Sequence, residues 1–212
     1  KSIHKYKNKK INKKTLLKKS IYLEREYLKE SVGCQDQTLA VHGGFNLIKF
    51  SRKKIKVRKI RISKKTLKIL ENNLFLVYTD NSRYASKIEK KKINQIQNKK
   101  KYYFEILKIV KEALNILEKN KKIDLIGNLL DKYWKIKKNL SNNVADKRIN
   151  ILYEKGIKSG ALGGKLLGAG GGGFMLFYCP KQNHKRFKKK MNKHHITNFN
   201  FTNEGSTIIH SS

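Results

Sequence analysis

The sequence predicts an α+β fold. Short apolar segments with strand character, FNLIKF, LFLVYT and FMLFYC, lie early and late in the chain, while the region between them repeats apolar residues at the spacing of amphipathic helices. A chain of 212 residues is long enough to bury a real core, as one large domain or as two small ones. Strands and helices combined in this way are typical of the α+β class.

The first predicted element is a helix with an acidic residue on its apolar stripe. Leu17, Ile21, Glu24 and Leu28 recur at spacings of four, three and four residues, which places them on one face. Glu24 therefore points where leucines point, and a carboxylate there is costly unless a cation or hydrogen-bond donors meet it. The alternative is a helix-end glutamate that reaches solvent or pairs with a lysine.

Glycines and strands follow this helix. Gly33 is predicted to end it, and the polar loop GCQDQ then carries Asp36, which is placed either as a base that reaches a substrate or as a capping or turn residue. Beyond Gly43 and Gly44, FNLIKF and KVRKIRIS are predicted strands, and LFLVYT (74–79) is a short apolar strand.

The middle of the chain predicts three helices with apolar faces. The charged segment SKIEKKKINQIQNKKK before them is predicted to be a solvated helix or loop. A third helix, at about 144–157, leads to the glycine-rich segment, and two weak strands are predicted near 198–202 and 207–210. The residues predicted to face the core are Tyr103, Ile106, Leu107, Val110, Leu114 and Leu117 in the first helix, Leu125, Leu129, Leu130, Tyr133 and Trp134 in the second, and Ile149, Leu152 and Tyr153 in the third.

The composition is strongly basic, with 51 lysines and arginines against 15 acidic residues and a net charge of +36. Such a charge attracts any polyanion, with an affinity that falls steeply as salt rises. Only seven of these residues are arginines, which are the usual choice for bidentate contacts with bases and phosphates, and the lysines are scattered along the chain. Because the chain is also rich in asparagine and isoleucine, A/T-rich codon usage explains the bias better than nucleic-acid binding does.

The sequence predicts a soluble, cytoplasmic protein without a membrane partner. No apolar run approaches the roughly 20 residues that span a bilayer, and the start of the chain lacks the apolar core of a signal peptide. Cys34 and Cys179 are the only cysteines, so neither a disulfide framework nor a cysteine-rich zinc site is indicated.

The most unusual segment is GALGGKLLGAGGGGFMLFYC (160–179). A P-loop is excluded because Ser159 and Leu166 stand where that pattern needs a glycine and a hydroxyl. The glycines from Gly168 to Gly173 satisfy G-x-G-x-x-G, but the dinucleotide fingerprint follows a strand and opens a helix, whereas the predicted order here is helix first and strand after. The apolar strand that follows at once disfavours a low-complexity linker. Bare backbone N–H groups can approach an anion closely, so the segment indicates a loop beside a phosphate or a crowded ligand.

Taken together, three segments resemble one family. LEREYLKESVGCQDQTLAVHGGFNLIKF, LFLVYTDNSRYAS and GALGGKLLGAGGGGFMLFYCP, followed by EGSTII, are similar to the central and C-terminal parts of the GHMP small-molecule kinases. The likeness runs from about Thr15 onward and is greatest to the D-glycero-D-manno-heptose 7-phosphate kinase group. It implies that residues 1–70 are the remnant of an N-terminal α/β domain with the catalytic aspartate loop, and that residues 71–212 form a ferredoxin-like C-terminal α/β sandwich.

The resemblance also implies roles for individual residues. Asp36 falls at the position of the family's catalytic aspartate and Glu24 at that of its magnesium-binding glutamate. Gln35, Gln37 and Arg83 are expected to contact substrate, although Arg83 is equally compatible with a surface ion pair. The motif expected to support the nucleotide phosphates comprises Gly168, Ala169, Gly170, Gly171, Gly172 and Gly173.

The expected activity is ATP-dependent and Mg²⁺-dependent phosphorylation of a sugar or sugar phosphate. The resemblance favours D-glycero-D-manno-heptose 7-phosphate, phosphorylated at its anomeric hydroxyl in nucleotide-activated heptose biosynthesis. An inward-facing Glu24 agrees with a need for Mg²⁺, since phosphoryl transfer depends on positioning and charge neutralisation. The alternatives are another sugar kinase of the fucose or galactose type, and a non-catalytic basic protein that binds nucleic acid. The sequence does not indicate an oligomeric state.

The sequence departs from the family at its start. Family members carry two N-terminal motifs, the second a Gly/Ser-rich loop that cradles the ATP phosphates at a helix N-terminus. No GxGxSSS-like segment occurs in this sequence, which begins with Lys1 rather than Met. We therefore expect the chain to be a fragment that by itself binds ATP poorly.

Overall fold

A computed structural model of the chain describes residues 10–30, 32–52, 54–80, 99–140, 146–168 and 172–208. The chain divides into two compact units, one of Lys1–Arg61 with Phe201–Ser212 and the other of Ile62–Asn200. The sequence placed a boundary near residue 70, whereas this division falls after residue 61 and groups the end of the chain with its beginning. The functional meaning of the two predicted domains stays a prediction.

The first unit begins with helix α1 (Lys13–Tyr22), which Asn12 caps by accepting a hydrogen bond from the Thr15 amide. A π-helical turn (Leu23–Tyr27) continues this helix, as the sequence predicted. The apolar stripe is shorter than predicted, because Leu17 is buried while Leu28 is 54% exposed.

Helix α2 (Gln35–His42) and the antiparallel pair β1 (Asn46–Phe50) and β2 (Ile55–Lys59) complete this part of the first unit. The sequence predicted both strands. It missed α2, because a short segment that mixes polar and small residues carries little helical periodicity.

The end of the chain crosses α2 at the paired glycines. The Gly44 amide donates to the Thr202 carbonyl at 3.0 Å, and the Ser206 amide donates to the Ala40 carbonyl at 2.8 Å. A Cβ on Gly43 would lie 2.2 Å from the backbone of Glu204, so only glycine allows the two segments to come this close. The pair of glycines therefore serves packing.

The second unit carries a four-stranded antiparallel sheet and five helices among its described residues. Its elements are α3 (Lys64–Asn73), β3 (Leu74–Tyr78), α4 (Lys100–Lys119), α5 (Leu125–Leu140), α6 (Lys147–Lys158), β4 (Gly163–Leu166), β5 (Phe174–Tyr178), α7 (His184–Lys190) and β6 (Ile196–Thr197). The strand order is β4-β5-β3-β6. This is the β-α-β-β-α-β pattern of ferredoxin-like folds. The predicted α+β class is confirmed.

The core of the second unit lies between the sheet and the helices. Phe177 and Met175 of β5, Trp134 of α5 and Phe187 of α7 are fully buried in one cluster. The predicted inward face of α6 is confirmed by buried Ile149, Leu152 and Tyr153.

Part of the predicted core face of α4 and α5 is wrong. Leu107 and Val110 are 55% and 41% exposed, whereas Ile116 is buried. In α5, Trp134 is buried but Leu125 is 37% exposed. The sequence therefore identified these helices correctly, but it placed the buried stripe of α4 too far round the helix.

The predicted strand near 198–202 is also wrong, because these residues are not in a strand and the last strand of the described residues is β6 at Ile196–Thr197. Residues 207–208 are not in a strand, and the rest of the segment 207–210 lies outside the described residues, as do residues 81–98 of the charged segment. Within the described part of the chain, no helix combines the length and apolarity that crossing a membrane requires. A cytoplasmic location stays a prediction.

Candidate functional site

Glu24 lies in the π-helical turn after α1, where it is half-buried. In this turn the Leu28 amide donates to the Leu23 carbonyl at 2.9 Å, which adds a residue to the usual helical spacing. Single π-helical turns inside α-helices occur frequently at functional sites. The Glu24 carboxylate accepts a hydrogen bond from Nε2 of Gln37 on α2. The contact supplies the donor that the apolar position of Glu24 requires.

Gln37 is the buried member of this pair. Its side chain is 7% exposed, and its Oε1 atom is buried without a hydrogen-bond partner among the described residues. An unsatisfied buried amide oxygen is uncommon in a folded protein and indicates an unseen partner such as water or an ion. The sequence predicted a substrate contact for Gln37, and its observed contact is with Glu24.

Asp36 occupies the first turn of α2 and its side chain is exposed. The sequence placed it in a polar loop after a helix, and the structure corrects this to the beginning of the next helix. The positive end of the helix dipole stabilises a carboxylate in a first turn. Asp36 directly precedes Gln37, so the Glu24–Gln37 hydrogen bond brings the predicted metal ligand to the turn that carries the predicted catalytic aspartate.

The remaining predicted substrate contacts are less well defined. Gln35 is exposed in the same first turn of α2. Arg83 lies outside the described residues, so its predicted role stays a prediction.

The glycine-rich segment connects two antiparallel strands in the second unit. β4 ends at Leu166, opposite Met175 of β5, and the Leu167 amide donates to the Phe174 carbonyl at 2.9 Å. The sequence correctly predicted the helix that leads to the glycine-rich segment, α6, but it missed strand β4, which lies between that helix and Gly168. We call residues 167–173 the glycine hairpin, of which Ala169, Gly170 and Gly171 lie outside the described residues.

Two glycines of this hairpin have backbones that other residues rarely adopt. The φ angles of Gly168 and Gly173 are +67° and +94°, in the left-handed region that favours glycine. A Cβ added at either position meets no described atom within 4 Å. Among the described residues, the bare backbone at these positions therefore does not serve packing, in contrast to Gly43.

Strand β4 is held close to helix α5. A Cβ on Gly163 would lie 2.0 Å from the Gly127 carbonyl oxygen and 2.7 Å from the Asp131 amide nitrogen. Asp131 in turn accepts a hydrogen bond from the Tyr153 hydroxyl at 2.5 Å. Glycine at position 163 thus serves close packing that positions the start of the glycine hairpin.

Side chains from two elements bind the two ends of the glycine hairpin. Lys137 of α5 donates to the Leu166 carbonyl at 3.0 Å and to the Gly168 carbonyl at 2.8 Å. At the other end, the Thr79 hydroxyl donates to the Gly173 carbonyl at 2.9 Å. Sequence reasoning missed both residues. The only signal for Lys137 was a lysine within the apolar face of a predicted helix.

The comparisons with known proteins agree with this architecture. Residues 112–197 match the family described as GHMP kinases C terminal. A curated relative, the D-glycero-alpha-D-manno-heptose 7-phosphate kinase of Campylobacter jejuni subsp. jejuni serotype O:2, is 32% identical over 189 residues. Residues 112–197 thus correspond to the C-terminal domain of GHMP kinases. The match to the curated relative covers 86% of this chain and 55% of the relative, so the chain spans about half the length of that protein.

Solved structures of GHMP kinases share the fold. A crystal structure of mevalonate kinase is 26% identical with a TM-score of 0.72, over 96% of this chain and 62% of that one. A D-glycero-D-manno-heptose 1-phosphate kinase from Bacteroides thetaiotaomicron has a TM-score of 0.75 at 19% identity, over 97% of this chain and 57% of that one. The second likeness shows the fold alone.

Residues of this chain fit the two groups that phosphoryl transfer needs. Mg²⁺ takes oxygen ligands and is commonly held by one or two carboxylates plus substrate phosphates. Glu24 offers one carboxylate. The Gln37 side-chain amide donates to this carboxylate, and the oxygen of the same amide has no partner among the described residues. Among the described residues, no group of three or more His, Cys, Asp or Glu side chains is arranged to hold a metal. The open backbone at Gly168 and Gly173 fits the approach of a phosphate.

Proposed function

We propose that the protein containing this chain transfers a phosphoryl group from ATP to a sugar phosphate, D-glycero-D-manno-heptose 7-phosphate, at its anomeric hydroxyl. The product of that reaction is a precursor for nucleotide-activated heptose. The 32% identity to a heptose 7-phosphate kinase supports the substrate. The single observation that carries the proposal is the Glu24–Gln37 hydrogen bond, which joins the metal-ligand candidate to the helical turn of Asp36.

Asp36 is the proposed catalytic base. It is exposed in the first turn of α2, so a substrate hydroxyl can reach its carboxylate. General-base help of this kind is typically worth about 10²–10⁴-fold in rate. Asp36 would orient the sugar hydroxyl and take its proton as the phosphoryl group is transferred.

Glu24 is the proposed ligand of Mg²⁺. When bound, the ion neutralises charge that develops on the transferred phosphoryl group. Gln37 holds one carboxylate oxygen of Glu24 and leaves the carboxylate half-buried, so its geometry is restricted before an ion arrives.

The glycine hairpin is the proposed phosphate-supporting backbone. Its described glycines at 168 and 173 leave the space beside their Cα atoms open, and side-chain-free residues allow N–H groups to approach phosphate oxygens. The proposed roles of the glycines and of Ala169 apply to the whole segment from Gly168 to Gly173.

The test is ADP release by the whole protein with ATP and a panel of acceptors. We expect turnover with heptose 7-phosphate to exceed that with galactose, fucose or mevalonate by at least tenfold. Mevalonate belongs in the panel because a mevalonate kinase structure is 26% identical to this chain. Faster turnover of another acceptor would replace the substrate, and no ADP release with any acceptor would refute the kinase proposal.

Variants test the residue roles. We expect Asp36→Asn to lower kcat by about 10²–10⁴-fold with little change in the affinity for a non-hydrolysable ATP analogue. Glu24→Gln should raise the Mg²⁺ concentration that gives half-maximal activity. Glu26→Gln is the matched control, because Glu26 is exposed in the same π-helical turn. Wild-type kcat in Asp36→Asn would remove this aspartate from the chemistry.

A further inference from the structure

We infer that Gln37 is a positioning residue for Glu24 and not a substrate contact, an inference that rests on the proposed kinase function. Gln37 is 7% exposed on α2, and its Nε2 donates to the Glu24 carboxylate in the π-helical turn. A side chain buried to this extent offers little surface to a substrate, whereas Glu24 is only half-buried. Gln37 therefore acts on the reaction through Glu24.

The orientation of the Gln37 amide follows from its contact with a carboxylate. A carboxylate accepts hydrogen bonds and donates none, and a side-chain amide has donors on its nitrogen alone. The amide must therefore turn Nε2 toward Glu24, which leaves Oε1 buried without a partner among the described residues. The contact fixes the direction in which both side chains face.

Packing alone does not explain a glutamine at this position. An apolar side chain of the same length would fill the space without a buried polar atom that lacks a partner. Buried polar atoms without a hydrogen-bond partner are uncommon in folded proteins, and each one destabilises the fold. Features that reduce stability in this way are expected mainly at functional sites. The unpaired oxygen of Gln37 is thus a consequence of presenting a donor to Glu24.

Both partners of the contact lie on hydrogen-bonded backbone. In the π-helical turn the Glu30 amide donates to the Glu24 carbonyl at 2.9 Å. On α2 the Thr38 hydroxyl and the Thr38 amide donate to the Cys34 carbonyl at 2.5 and 3.2 Å, which holds the first turn that carries Gln37. The bond from Nε2 uses Oε2 of Glu24, so Oε1 lies outside this contact. One carboxylate oxygen is thereby fixed by the chain, while the other can serve as a ligand.

Partners of metal ligands affect metal binding without touching the metal. A side chain that hydrogen-bonds a ligating group fixes the orientation of that group, and its replacement typically weakens metal binding by about 10- to 100-fold. Gln37 has this relation to Glu24, the proposed ligand of Mg²⁺. A substrate contact would instead change KM for the sugar phosphate, so the two roles predict different losses.

The experiment compares Gln37→Met, Glu24→Gln, the double variant and the control Leu39→Met in the whole protein. Methionine keeps the length of the glutamine side chain but removes its N–H donors. Leu39 is half-buried on the same helix, so its replacement introduces the same side chain without removing a donor. Binding of Mn²⁺, which stands in for Mg²⁺, is measured by electron paramagnetic resonance with a non-hydrolysable ATP analogue present. KM for heptose 7-phosphate and hydrogen exchange of peptides that cover α2 are measured separately, and circular dichroism verifies that each variant is folded.

We expect Gln37→Met to weaken Mn²⁺ binding by about 10- to 100-fold, as loss of a ligand's hydrogen-bond partner predicts. KM for heptose 7-phosphate and exchange of the α2 amides should stay the same, and Leu39→Met should match the wild type. In the Glu24→Gln background, Gln37→Met should have no further effect on Mn²⁺ binding, because Gln37 acts through Glu24. Unchanged Mn²⁺ affinity in folded Gln37→Met, or an equal loss in the Glu24→Gln background, would overturn the inference. A loss of affinity together with faster exchange of α2 would mean a structural role and would overturn it as well.

The two proposals fail in different ways. Absence of ATP-dependent turnover in the wild-type protein refutes the kinase proposal and, with it, the role of Gln37 in that reaction. Normal wild-type turnover with equal Mn²⁺ affinity in the wild type and Gln37→Met refutes only the inference about Gln37. If Gln37→Met does not fold, Gln37→Asn is the second test, because asparagine keeps the amide on a shorter side chain that does not reach Glu24. Weaker Mn²⁺ binding in Gln37→Asn supports the inference, and wild-type affinity contradicts it.

Discussion

Replacement of Gly163 by alanine is expected to destabilise the second unit through a single steric contact. The added Cβ would lie 2.0 Å from the Gly127 carbonyl oxygen of α5 and 2.9 Å from Cβ of Asp131. Gly163 does not have a positive φ, so backbone strain does not contribute. The contact atom belongs to a helix backbone and cannot rotate away. An ordinary contact begins near 3.4 Å, so strand and helix must separate by about 1.4 Å.

The cost of that separation follows from overpacking. Extra carbon atoms in a well-packed site typically cost 1–3 kcal/mol, and a clash with backbone lies at the upper end, so we expect a loss of about 3 kcal/mol. A loss of that size lowers the midpoint of thermal unfolding by roughly 6–12 °C. Separation would also lengthen the bonds from Lys137 to Leu166 and Gly168, so hydrogen exchange of the hairpin amides should rise together with the loss of stability.

Urea unfolding followed by tryptophan fluorescence measures this effect in the unit concerned. The chain has one tryptophan, Trp134, which is fully buried on α5. Gly33→Ala is the control, since a Cβ there meets nothing within 4 Å, and such a change is neutral or stabilises by up to about 1 kcal/mol. Equal unfolding midpoints for Gly163→Ala and the wild type would refute the reasoning, because they would mean that β4 does not pack on α5 as closely as 2.0 Å implies.

Two solution properties follow from burial. Burial raises the pKa of the Cys179 thiol to about 12, whereas Cys34 is half-buried. A thiol reagent at pH 8 should therefore modify Cys34 in the native chain and Cys179 only after unfolding. Rapid modification of both cysteines in the native chain would contradict this. Burial, and then the hydrogen bond to Asp131, raise the pKa of Tyr153. A raised folded-state pKa contributes stability that is present below about pH 10 and is lost as pH rises further, by up to 1.4 kcal/mol per pH unit. Above pH 10 the unfolding free energy of the wild type should therefore fall more steeply than that of Tyr153→Phe, and parallel curves would contradict the assignment.

Local periodicity was sufficient to predict the long elements. Helices α4, α5 and α6 and strands β3 and β5 were all predicted, because each repeats apolar residues at one spacing or forms a continuous apolar run. Short elements carry too few residues to show a period. Helix α2, with eight residues, was missed for that reason. Helix α3 was missed although it has ten residues, the same length as the predicted α1.

The glycines show where sequence reasoning could not distinguish two purposes. Gly163 and Gly168 are five residues apart in the same glycine-rich segment, and both looked like parts of a bare loop. Gly163 lies in a strand against α5, whereas Gly168 adopts a positive φ with open space beside it. Only the position of α5 shows that glycine is needed for packing at Gly163, whereas the backbone at Gly168 is open.

The sequence by itself determined the fold class and the resemblance to GHMP kinases, because sequence motifs and apolar periodicity depend on residues that are close together in the sequence. It also predicted that Glu24 needs a partner, since a carboxylate on an apolar stripe has a cost that any fold must meet. Only the tertiary structure decided that the partner is Gln37 and that Lys137, among 51 basic residues, binds the glycine hairpin. Both are contacts between residues distant along the chain, and the packing of whole elements, not local spacing, brings such residues together.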